Sequence, residues 1–258
     1  MEALKLDKTI AATSDPIVRP RPLRHGWRFR VGMMLPSSNL VAEADIARML
    51  PEGATVHTTR LRLAGDTQEE LLAMTEKVEE AASLLADARV DLMAFHCTGV
   101  TTLDPEMPAK LNRRIEESSG VPATSTAEAL LAAFERLRAK RIVLISPYID
   151  AVNESEIRFF AHFGIEVIAA SGMGIGTGHG MMSVQPGEWY RRALAMRNEH
   201  ADAYFLSCTA IRATPVISVI ERDLRRPVVT SNQALAWHCL RKAGLSDRVA
   251  EMGALFQQ

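Results

Sequence analysis

The stretch that decides the fold is Asp91-Leu92-Met93-Ala94-Phe95-His96-Cys97-Thr98-Gly99, and Asp202-Ala203-Tyr204-Phe205-Leu206-Ser207-Cys208-Thr209-Ala210 repeats its pattern. Each is a short apolar run that ends in His or Ser and is followed by Cys-Thr. An uninterrupted apolar run between helical patterns is typical of a buried parallel strand. The pattern therefore places Cys97 and Cys208 just beyond the carboxyl ends of two strands, where open α/β sheets bind ligands.

The two stretches belong to a longer internal repeat. The second Cys-Thr pair follows the first by 111 residues, and the same offset carries segment 30–36 onto segment 141–147. Segment 121–125 resembles segment 226–230 with the offset shortened to 105. Chance similarity between apolar runs is the alternative explanation. Anchors that recur in one order favour two copies of one α/β unit.

Each copy is expected to contain four strands that alternate with helices. The expected strands are Arg28–Leu35, Thr55–Arg62, the run before Cys97 and Pro122–Ser125, then Arg141–Ser146, Glu166–Ala170, the run before Cys208 and Pro227–Thr230. Such alternation predicts parallel sheets with helices on both faces. We therefore predict an α/β fold of two similar Rossmann-like units, each a four-stranded parallel sheet flanked by helices. Pseudo-two-fold symmetry would relate them and place an active site in the cleft between them.

The predicted organisation has three parts. Residues 1–27 read as an N-terminal tail, because their prolines block helix and sheet and no hydrophobic period is present. Residues 28–126 form the first α/β unit, completed by a C-terminal helix within 232–258, and residues 127–231 form the second. The tail is locally basic, which suits a solvated arm or an arm packed on a neighbouring subunit.

Composition excludes several classes of protein. The 258 residues are 47% hydrophobic, enough for a sizeable core, and 30 basic against 31 acidic residues give a net charge of −1. We therefore predict no nucleic-acid partner and no membrane partner. The sequence has no run of 18 apolar residues and no signal-peptide core. Three widely spaced cysteines predict reduced thiols and a cytoplasmic protein.

Two of the three cysteines are candidates for chemistry. Cys239 lies within a helical pattern and is interpreted as a small apolar residue. Cys97 and Cys208 are both expected where a strand opens into a helix N-terminus, which stabilises a thiolate. His96 adjoins Cys97, but adjacent strand residues point to opposite faces, so we predict packing or a local hydrogen bond rather than a catalytic base.

The Gly-rich segment 171–182 does not indicate a cofactor. It lacks the dinucleotide-binding spacing, and the chain has neither a P-loop nor paired zinc-binding motifs, so we predict no cofactor and no metal. Five alternating glycines from Gly172 to Gly180 leave its backbone unusually free. We expect this segment to lack regular structure, to border the cleft and to close over a substrate.

Polar residues follow the first strand of each copy. Ser37, Ser38 and Asn39 come after the first, and Tyr148 occupies the matching region of the second. One interpretation is helix capping and turn formation. The other is that hydroxyls, an amide and a phenol bind a carboxylate without a cation.

These segments resemble the aspartate/glutamate racemase superfamily, and within it the maleate cis–trans isomerase and arylmalonate decarboxylase branch. The resemblance covers roughly residues 28–245 and rests on Pro36–Asn39, Cys97, segment 147–153 and Ser207–Thr209. It implies a cofactor-independent cis–trans isomerase of a maleate-like enedioic acid. Cys97 would be the nucleophile, Cys208 the acid or base, and Asn39 and Tyr148 would bind the carboxylates. Residues expected to line the pocket are Ser37, Ser38, Thr98 and Thr209. The superfamily is commonly dimeric, which implies a homodimer or higher homo-oligomer.

Departures from the family pattern keep alternatives open. The isomerase pattern carries a further substrate-binding Asn where this chain has Gly176-Thr177-Gly178-His179, which leaves room for a bulkier acid. A two-base cysteine racemase of an amino acid or related chiral acid is the alternative, although Ser37 and Ala210 replace the acidic residue and the His typical of racemases. Arylmalonate decarboxylases keep only the second cysteine. A non-catalytic carboxylate-binding protein is the fourth hypothesis.

Overall fold

Two four-stranded parallel sheets organise the residues that this computed structural model describes, which are 26–63, 65 and 67–258. The first sheet contains β1 (Phe29–Pro36), β2 (Ala54–Leu61), β3 (Leu92–Phe95) and β4 (Ala123–Ser125) in the order β2-β1-β3-β4. The second contains β5 (Arg141–Ile145), β6 (Glu166–Ser171), β7 (Ala203–Leu206) and β8 (Val228–Thr230) in the order β6-β5-β7-β8. The identical strand orders confirm the predicted two-unit α/β fold. Of the predicted tail, residues 1–25 lie outside the described part.

Helices connect the strands throughout the described chain. They are α1 (Ala42–Met49), α2 (Gln68–Ala73), α3 (Val78–Asp87), α4 (Thr98–Thr101), α5 (Met107–Ser119), α6 (Thr126–Leu137), α7 (Asp150–His162), α8 (Gly178–Ser183), α9 (Pro186–Ala195), α10 (Ile217–Leu224) and α11 (Ser231–Lys242). Short 3₁₀ turns cover Met74–Lys77, Thr214–Val216 and Ala254–Gln257. Gly244, at φ 71°, follows α11 in the C′ position that glycine favours. None of the described helices has the length and apolarity needed to cross a bilayer.

The internal repeat extends to individual side-chain contacts. Asp91 accepts a hydrogen bond from the backbone N–H of Arg30 and pairs with its guanidinium, and Asp202 does the same with Arg141. Each aspartate thus ties the start of the central strand to its neighbour. Both pairs are partly exposed, so solvent screening keeps their contribution to stability small. Their recurrence at the 111-residue offset makes chance similarity a poor explanation of the repeat.

Two segments differ from the sequence expectation. The periodicity of residues 67–88 predicts one long helix, but a 3₁₀ turn separates α2 from α3. The Thr75 hydroxyl donates to the Leu72 carbonyl in this turn, and such a bond competes with the regular helical ladder. The expectation that the Gly-rich segment lacks regular structure is wrong for its second half. Thr177 caps α8 by accepting a hydrogen bond from the Gly180 N–H.

One hydrophobic core joins the two halves. It contains Met33 and Ala94 from the first sheet, Leu144 and Phe205 from the second, and the buried faces of α6 and α11. Phe134 of α6 makes edge-to-face contact with Phe205, at a centroid distance of 5.8 Å. Such a pair adds about 0.5–1.5 kcal/mol beyond the burial of its area. The shared core fixes how the carboxyl ends of the sheets face each other. The domain boundaries predicted at residues 126–127 and 231–232 stay a prediction.

Candidate active site

A cavity of about 50 Å³ lies where the loops after β1, β3, β5 and β7 converge. Its lining residues come from both halves: Pro36, Ser38, Asn39, Leu63, Gly65, Leu71, Cys97, Gly99, Tyr148, Val152, Gly178, Met181, Cys208, Thr209 and Ala210. Both candidate cysteines are buried and line this one cavity. The cavity is therefore bounded by one thiol from each half of the chain.

The two cysteines have different local structures. Cys97 has an extended backbone and precedes the single turn of α4, so it stands at a helix N-terminus as expected. That expectation is wrong for Cys208, which is followed by a turn and not by a helix. Instead, the Ala210 N–H donates to Cys208 Sγ at 3.3 Å, and the Cys208 N–H donates to Ser231 Oγ at 3.3 Å. A nearby backbone N–H, and not a helix dipole, is therefore the group that can stabilise a thiolate at Cys208.

Cys208 carries backbone strain. Its φ of 106° lies in a region that residues with a Cβ rarely adopt. Such a conformation costs about 1–3 kcal/mol and persists only where the surroundings enforce it. The hydrogen bonds on either side of Cys208 supply that constraint, and they turn its sulfur towards the cavity wall formed by Met181, whose Sδ lies 3.8 Å away.

Asn39 serves both interpretations that its sequence position allows. Its Oδ1 accepts hydrogen bonds from the N–H groups of Val41 and Ala42, which caps the start of α1. Its Nδ2 donates to Thr209 Oγ1 at 3.0 Å, across the cleft between the halves. The amide is almost completely buried and lines the cavity. Capping therefore fixes the orientation in which the Nδ2 group is presented to a ligand.

Tyr148 is the second polar group of the cavity and lies close to both thiols. Burial raises the pKa of its phenol well above the ordinary value, and the charges of Cys208, Glu156 and Cys97 and a hydrogen bond with Cys208 add to the rise. The phenol consequently keeps its proton and acts as a hydrogen-bond donor. A neutral donor beside Cys208 can hold a ligand carboxylate without competing for a proton.

The remaining predicted residues divide into two groups. Ser38 and Thr209 line the cavity together with the cysteines, Asn39 and Tyr148. Ser37 is exposed, and its Oγ accepts a hydrogen bond from the Leu63 N–H at 3.4 Å. Thr98 is buried and donates its hydroxyl to Ser231 Oγ at 2.8 Å. The structure thus places Ser37 and Thr98 outside the cavity lining.

His96 is a structural residue, as the strand alternation predicts. Its ring is fully buried, with Nδ1 2.9 Å from Thr126 Oγ1 and Nε2 3.0 Å from Asn232 Oδ1. Burial lowers the pKa of His96 to about 4, against a smaller opposing effect of the Asn232 hydrogen bond. The imidazole is neutral at physiological pH and has both nitrogens engaged, so neither is available to the Cys97 thiol.

Glu156 is a buried acid that sequence reasoning missed. It lies on α7, and its Oε1 accepts a hydrogen bond at 2.5 Å from Ser207, the residue before Cys208. Its Oε2 has no hydrogen-bond partner among the described residues. Burial raises the pKa of Glu156 to about 8, although the Ser207 hydrogen bond acts in the opposite direction. A carboxyl group inside a helix pattern carries no signal that distinguishes it from a surface residue.

Apolar side chains complete the cavity and were also missed. Leu63, Leu71, Val152 and Met181 form much of its wall. Their residue types are those of any hydrophobic core, so the sequence gives no sign of their position at a ligand site. None of the described residues that line the cavity is lysine or arginine. A bound anion would therefore depend on neutral hydrogen-bond donors.

The chain is similar to known proteins over most of its length. The arylmalonate decarboxylase family matches residues 31–256. The maleate isomerase of Geobacillus stearothermophilus is 29% identical over 242 residues, which are 88% of this chain and 96% of the relative. The arylmalonate decarboxylase of Bordetella bronchiseptica is 28% identical over 218 residues, with 83% and 90% covered. A crystal structure of the maleate isomerase from Pseudomonas putida S16 with maleate superposes with a TM-score of 0.83 at 27% identity, covering 88% of this chain and 97% of that one.

Proposed function

The chain belongs to the arylmalonate decarboxylase family, in the maleate isomerase branch of the aspartate/glutamate racemase superfamily, and on this premise we propose that it is a cofactor-independent cis–trans isomerase of a maleate-like enedioic acid. The observation that carries the proposal is the shared cavity, in which Cys97 and Cys208 come from opposite halves and are accompanied by Asn39 and Tyr148. Two thiols that face one small volume can act on adjacent carbon atoms of one substrate.

The neutral donors of the cavity would bind the two carboxylates. Asn39 contributes its Nδ2 group, and Tyr148 contributes a phenol that stays protonated. The hydroxyls of Ser38 and Thr209 lie on the same lining. Fixed dipoles in a cavity with little water stabilise negative charge without the reorganisation that solvent would need. They would also stabilise the extra charge that develops on a carboxylate when the alkene is attacked.

In the proposed reaction, the thiolate of Cys97 adds to one alkene carbon, forming a C–S bond as the π electrons move towards the adjacent carboxylate. Cys208 then gives its proton to the second carbon, which leaves a succinyl thioether on Cys97. Rotation about the new carbon–carbon single bond reverses the arrangement of the carboxylates. Cys208 takes the proton back, the C–S bond breaks, and the trans acid leaves with the Cys97 thiolate restored.

The surroundings of Cys208 suit a proton donor. The Ala210 N–H donates to its sulfur, and Tyr148 makes a further hydrogen bond with it. The Ala210 N–H stabilises the thiolate that remains after the proton has left, while the single phenol proton of Tyr148 is donated to the substrate carboxylate. The acid is therefore ready to give its proton to a carbanion-like centre and to recover it during elimination.

The lining of the cavity also bears on the substrate class. A Cβ at this position would lie 3.0 Å from Ser38 Oγ, so the glycine permits Ser38 to face the cavity. The apolar wall of Leu63, Leu71 and Met181 offers contact to an alkyl or similar substituent. We infer that a substituted enedioate is accepted as well as, or in preference to, unsubstituted maleate.

Two alternative reactions, racemisation and decarboxylation, are each supported by a specific observation. Opposed thiols also suit a two-base racemase, in which each cysteine only moves a proton at an α-carbon. The Bordetella bronchiseptica relative is an arylmalonate decarboxylase, which favours decarboxylation as a third candidate. Both alternatives use the same cavity and differ from isomerisation in their products.

A substrate panel in deuterated water separates these reactions. The purified protein is incubated with cis-enedioates, with aryl- and alkylmalonates, and with single enantiomers of amino acids and related acids. Isomerisation converts a cis-enedioate into its trans isomer without carbon dioxide release. Deuterium uptake at the α-carbon of a chiral acid would overturn the proposal in favour of a racemase, and carbon dioxide release from a malonate in favour of a decarboxylase. A cytoplasmic location and a homo-oligomeric state stay predictions, the second testable by light scattering.

A further inference from the structure

Two buried residues at the start of α11 lie directly behind the cysteines. The Ser231 hydroxyl accepts hydrogen bonds from the Thr98 hydroxyl at 2.8 Å and from the Cys208 N–H at 3.3 Å. Thr98 immediately follows Cys97 in the chain. One oxygen atom of α11 therefore joins the backbone segment of the first thiol to that of the second.

The next residue, Asn232, forms a second and longer connection. Its Oδ1 lies 3.0 Å from Nε2 of His96, the residue before Cys97. Its Nδ2 donates to Asp45 Oδ2 at 3.1 Å, and the same carboxylate oxygen accepts the Thr214 hydroxyl at 2.7 Å. Thr214 lies on the loop that leads away from Cys208. Every side chain in this chain of contacts is buried.

The hydrogen-bonding chemistry of the Asn232 side chain allows one arrangement. A carboxylate oxygen only accepts, so the Asn232 amide must present its Nδ2 group to Asp45 and its Oδ1 to His96. His96 must then carry its proton on Nε2, which leaves Nδ1 as an acceptor 2.9 Å from Thr126 Oγ1, whose hydroxyl also lies 3.3 Å from the Phe95 carbonyl. A connection with a single allowed polarity cannot slip into an alternative pairing, so it fixes the position of His96 and of the strand end that carries Cys97.

We propose that Ser231 and Asn232 are positioning residues that set the separation of the two thiols across the cleft. The proposal rests on the proposed function, because a nucleophile and a proton donor must reach adjacent carbons of one small molecule. A misplacement of about 1 Å can lower a rate about 100-fold. Neither residue lines the cavity, so they act through Cys97 and Cys208 and do not touch the substrate.

The test compares two buried asparagines. Asn232→Leu removes the Asp45 and His96 contacts, whereas Asn112→Leu removes a similar hydrogen bond from a buried asparagine of α5 to Glu128 of α6. Both variants are expected to lose thermal stability. Only Asn232→Leu is expected to lower kcat, by about 10-fold or more, with KM changed less than about twofold. Ser231→Ala should behave like Asn232→Leu, and Ser231→Thr, which keeps the hydroxyl, should restore most of the rate.

A readout that does not need turnover separates this proposal from the proposed function. Iodoacetamide alkylation followed by mass spectrometry gives the rates at Cys97 and at Cys208, which depend on access and thiolate character. The ratio of the two rates should shift by about threefold or more in Asn232→Leu and stay constant in Asn112→Leu. This result would support positioning even if no acid of the panel is isomerised.

Two outcomes would overturn the proposal. One is a folded Asn232→Leu protein with the wild-type alkylation ratio. The other is a shift of equal size in Asn112→Leu, which would show a general loss of stability. If Asn232→Leu does not fold, Thr98→Val removes the hydrogen bond to Ser231 instead, and Thr102→Val is its control because Thr102 donates only to the Thr98 carbonyl. An unchanged ratio in Thr98→Val then counts against positioning in the same way.

Discussion

At the scale of single residues, Asn39 shows how capping and binding can reside in one side chain. Its Oδ1 caps α1 and its Nδ2 faces Thr209 and the cavity, so the two functions use different atoms. Asn39→Asp keeps the capping oxygen and replaces the donor with a negative charge. We expect near-normal thermal stability and a KM raised about 10-fold or more, since the enedioate would meet repulsion instead of a hydrogen bond.

The matched variant for this experiment is Asn39→Ala. It loses both functions, so the free energy of unfolding should fall by about 1 kcal/mol in addition to the rise in KM. Thermal unfolding and initial-rate kinetics on the two variants provide the measurements. A hydrogen bond to a charged group is worth about 1.5–3 kcal/mol, so its loss should be visible in KM. A KM for Asn39→Asp within twofold of the wild-type value would exclude Asn39 from substrate binding.

The two cysteines are expected to differ when each is replaced by serine. A hydroxyl has a far higher pKa than a thiol and is a poor nucleophile, so Cys97→Ser should abolish turnover while substrate still binds through Asn39 and Tyr148. Cys208→Ser should also be inactive, but Cys97 can still add to the alkene. Mass spectrometry of Cys208→Ser after mixing with substrate should show the protein heavier by one substrate. A racemase would give no adduct in either variant, because its cysteines only move protons.

Glu156 predicts a specific dependence of stability on pH. Its folded pKa of about 8 lies above the ordinary value of 4.5, so the unfolded chain gives up this proton at lower pH than the folded protein does. The contribution of Glu156 to the free energy of unfolding is fully present below about pH 4.5. It is lost as the pH rises to about 8, by up to about 1.4 kcal/mol per pH unit. Burial lowers the pKa of His96 and of His238 to about 4. Their effect on the free energy of unfolding is therefore opposite to that of Glu156, because it destabilises the protein as the pH falls below about 6.5.

Urea unfolding between pH 6.5 and pH 8 avoids the histidine effect, and comparison with Glu156→Gln separates Glu156 from Glu221, whose pKa burial also raises. The wild-type free energy of unfolding should fall across this window, and Glu156→Gln should fall less. Glu166→Gln, which changes an exposed glutamate at the start of β6, is the control and should keep the wild-type slope. Equal slopes in all three proteins would mean that Glu156 ionises in the folded state without penalty.

The sequence predicts the cavity residues that carry a strong signal, and it misses those that do not. The internal repeat identifies Cys97 and Cys208 as candidates. The position after the first strand of each half identifies Asn39 and Tyr148. Ser37 has the same signal as Asn39, but the turn directs it to solvent, because only one face of a tight turn can point into the cleft. Asn232 lies in a helical pattern far along the chain, so its contact with His96 depends on tertiary packing that no local pattern records.

At the scale of elements, α8 separates the cavity from an outer groove, which is lined by residues of α1 and α8 and by Arg212 and Pro215. Met181 lines the cavity, and Met182 lines the outer groove, where its Sδ accepts a hydrogen bond from the Leu40 N–H at 3.3 Å. The glycines of segment 171–182 predict a mobile border of the cleft, but two of them lie in α8, whose start depends on the Thr177 cap that the glycine pattern does not indicate. A short capped helix on a glycine-rich connection can move as one body.

We expect α8 to close over a bound substrate, which would exclude water from the thioether adduct. Hydrogen exchange at the amides of Gly178–Ser183 should slow at saturating ligand, while the amides of α10, which lies away from the cavity, serve as an internal control. Cys208→Ser with its trapped adduct provides a sample in which the site is fully occupied. Unchanged exchange at α8 in that sample would mean that the helix is an exposed part of the wall and not a lid.

At the scale of the whole molecule, the duplication explains the sheets but not the way they join. The 111-residue offset predicts that the two sheets are alike, and the structure gives them equivalent strand orders. It does not predict that α6 of the second half packs on α11, which completes the first, in one core shared by the two halves. Apolar periodicity shows which face of an element is buried, and it does not show which element covers that face.

The shared core predicts that the two halves unfold together. Residues of both sheets belong to one continuous buried cluster, and α11 packs on α1 and α6, so neither half can lose its structure without exposing apolar area of the other. Native-state hydrogen exchange in increasing denaturant should give the same opening free energy for the amides of β3 and of β7. Amides of α8 should exchange through local fluctuations that depend little on denaturant. Two separate opening energies for β3 and β7 would instead make the predicted units independent domains. The geometry of the cleft would then depend on the hydrogen bonds that cross between the halves, which are those of Asn39 with Thr209, Thr98 with Ser231 and Thr214 with Asp45.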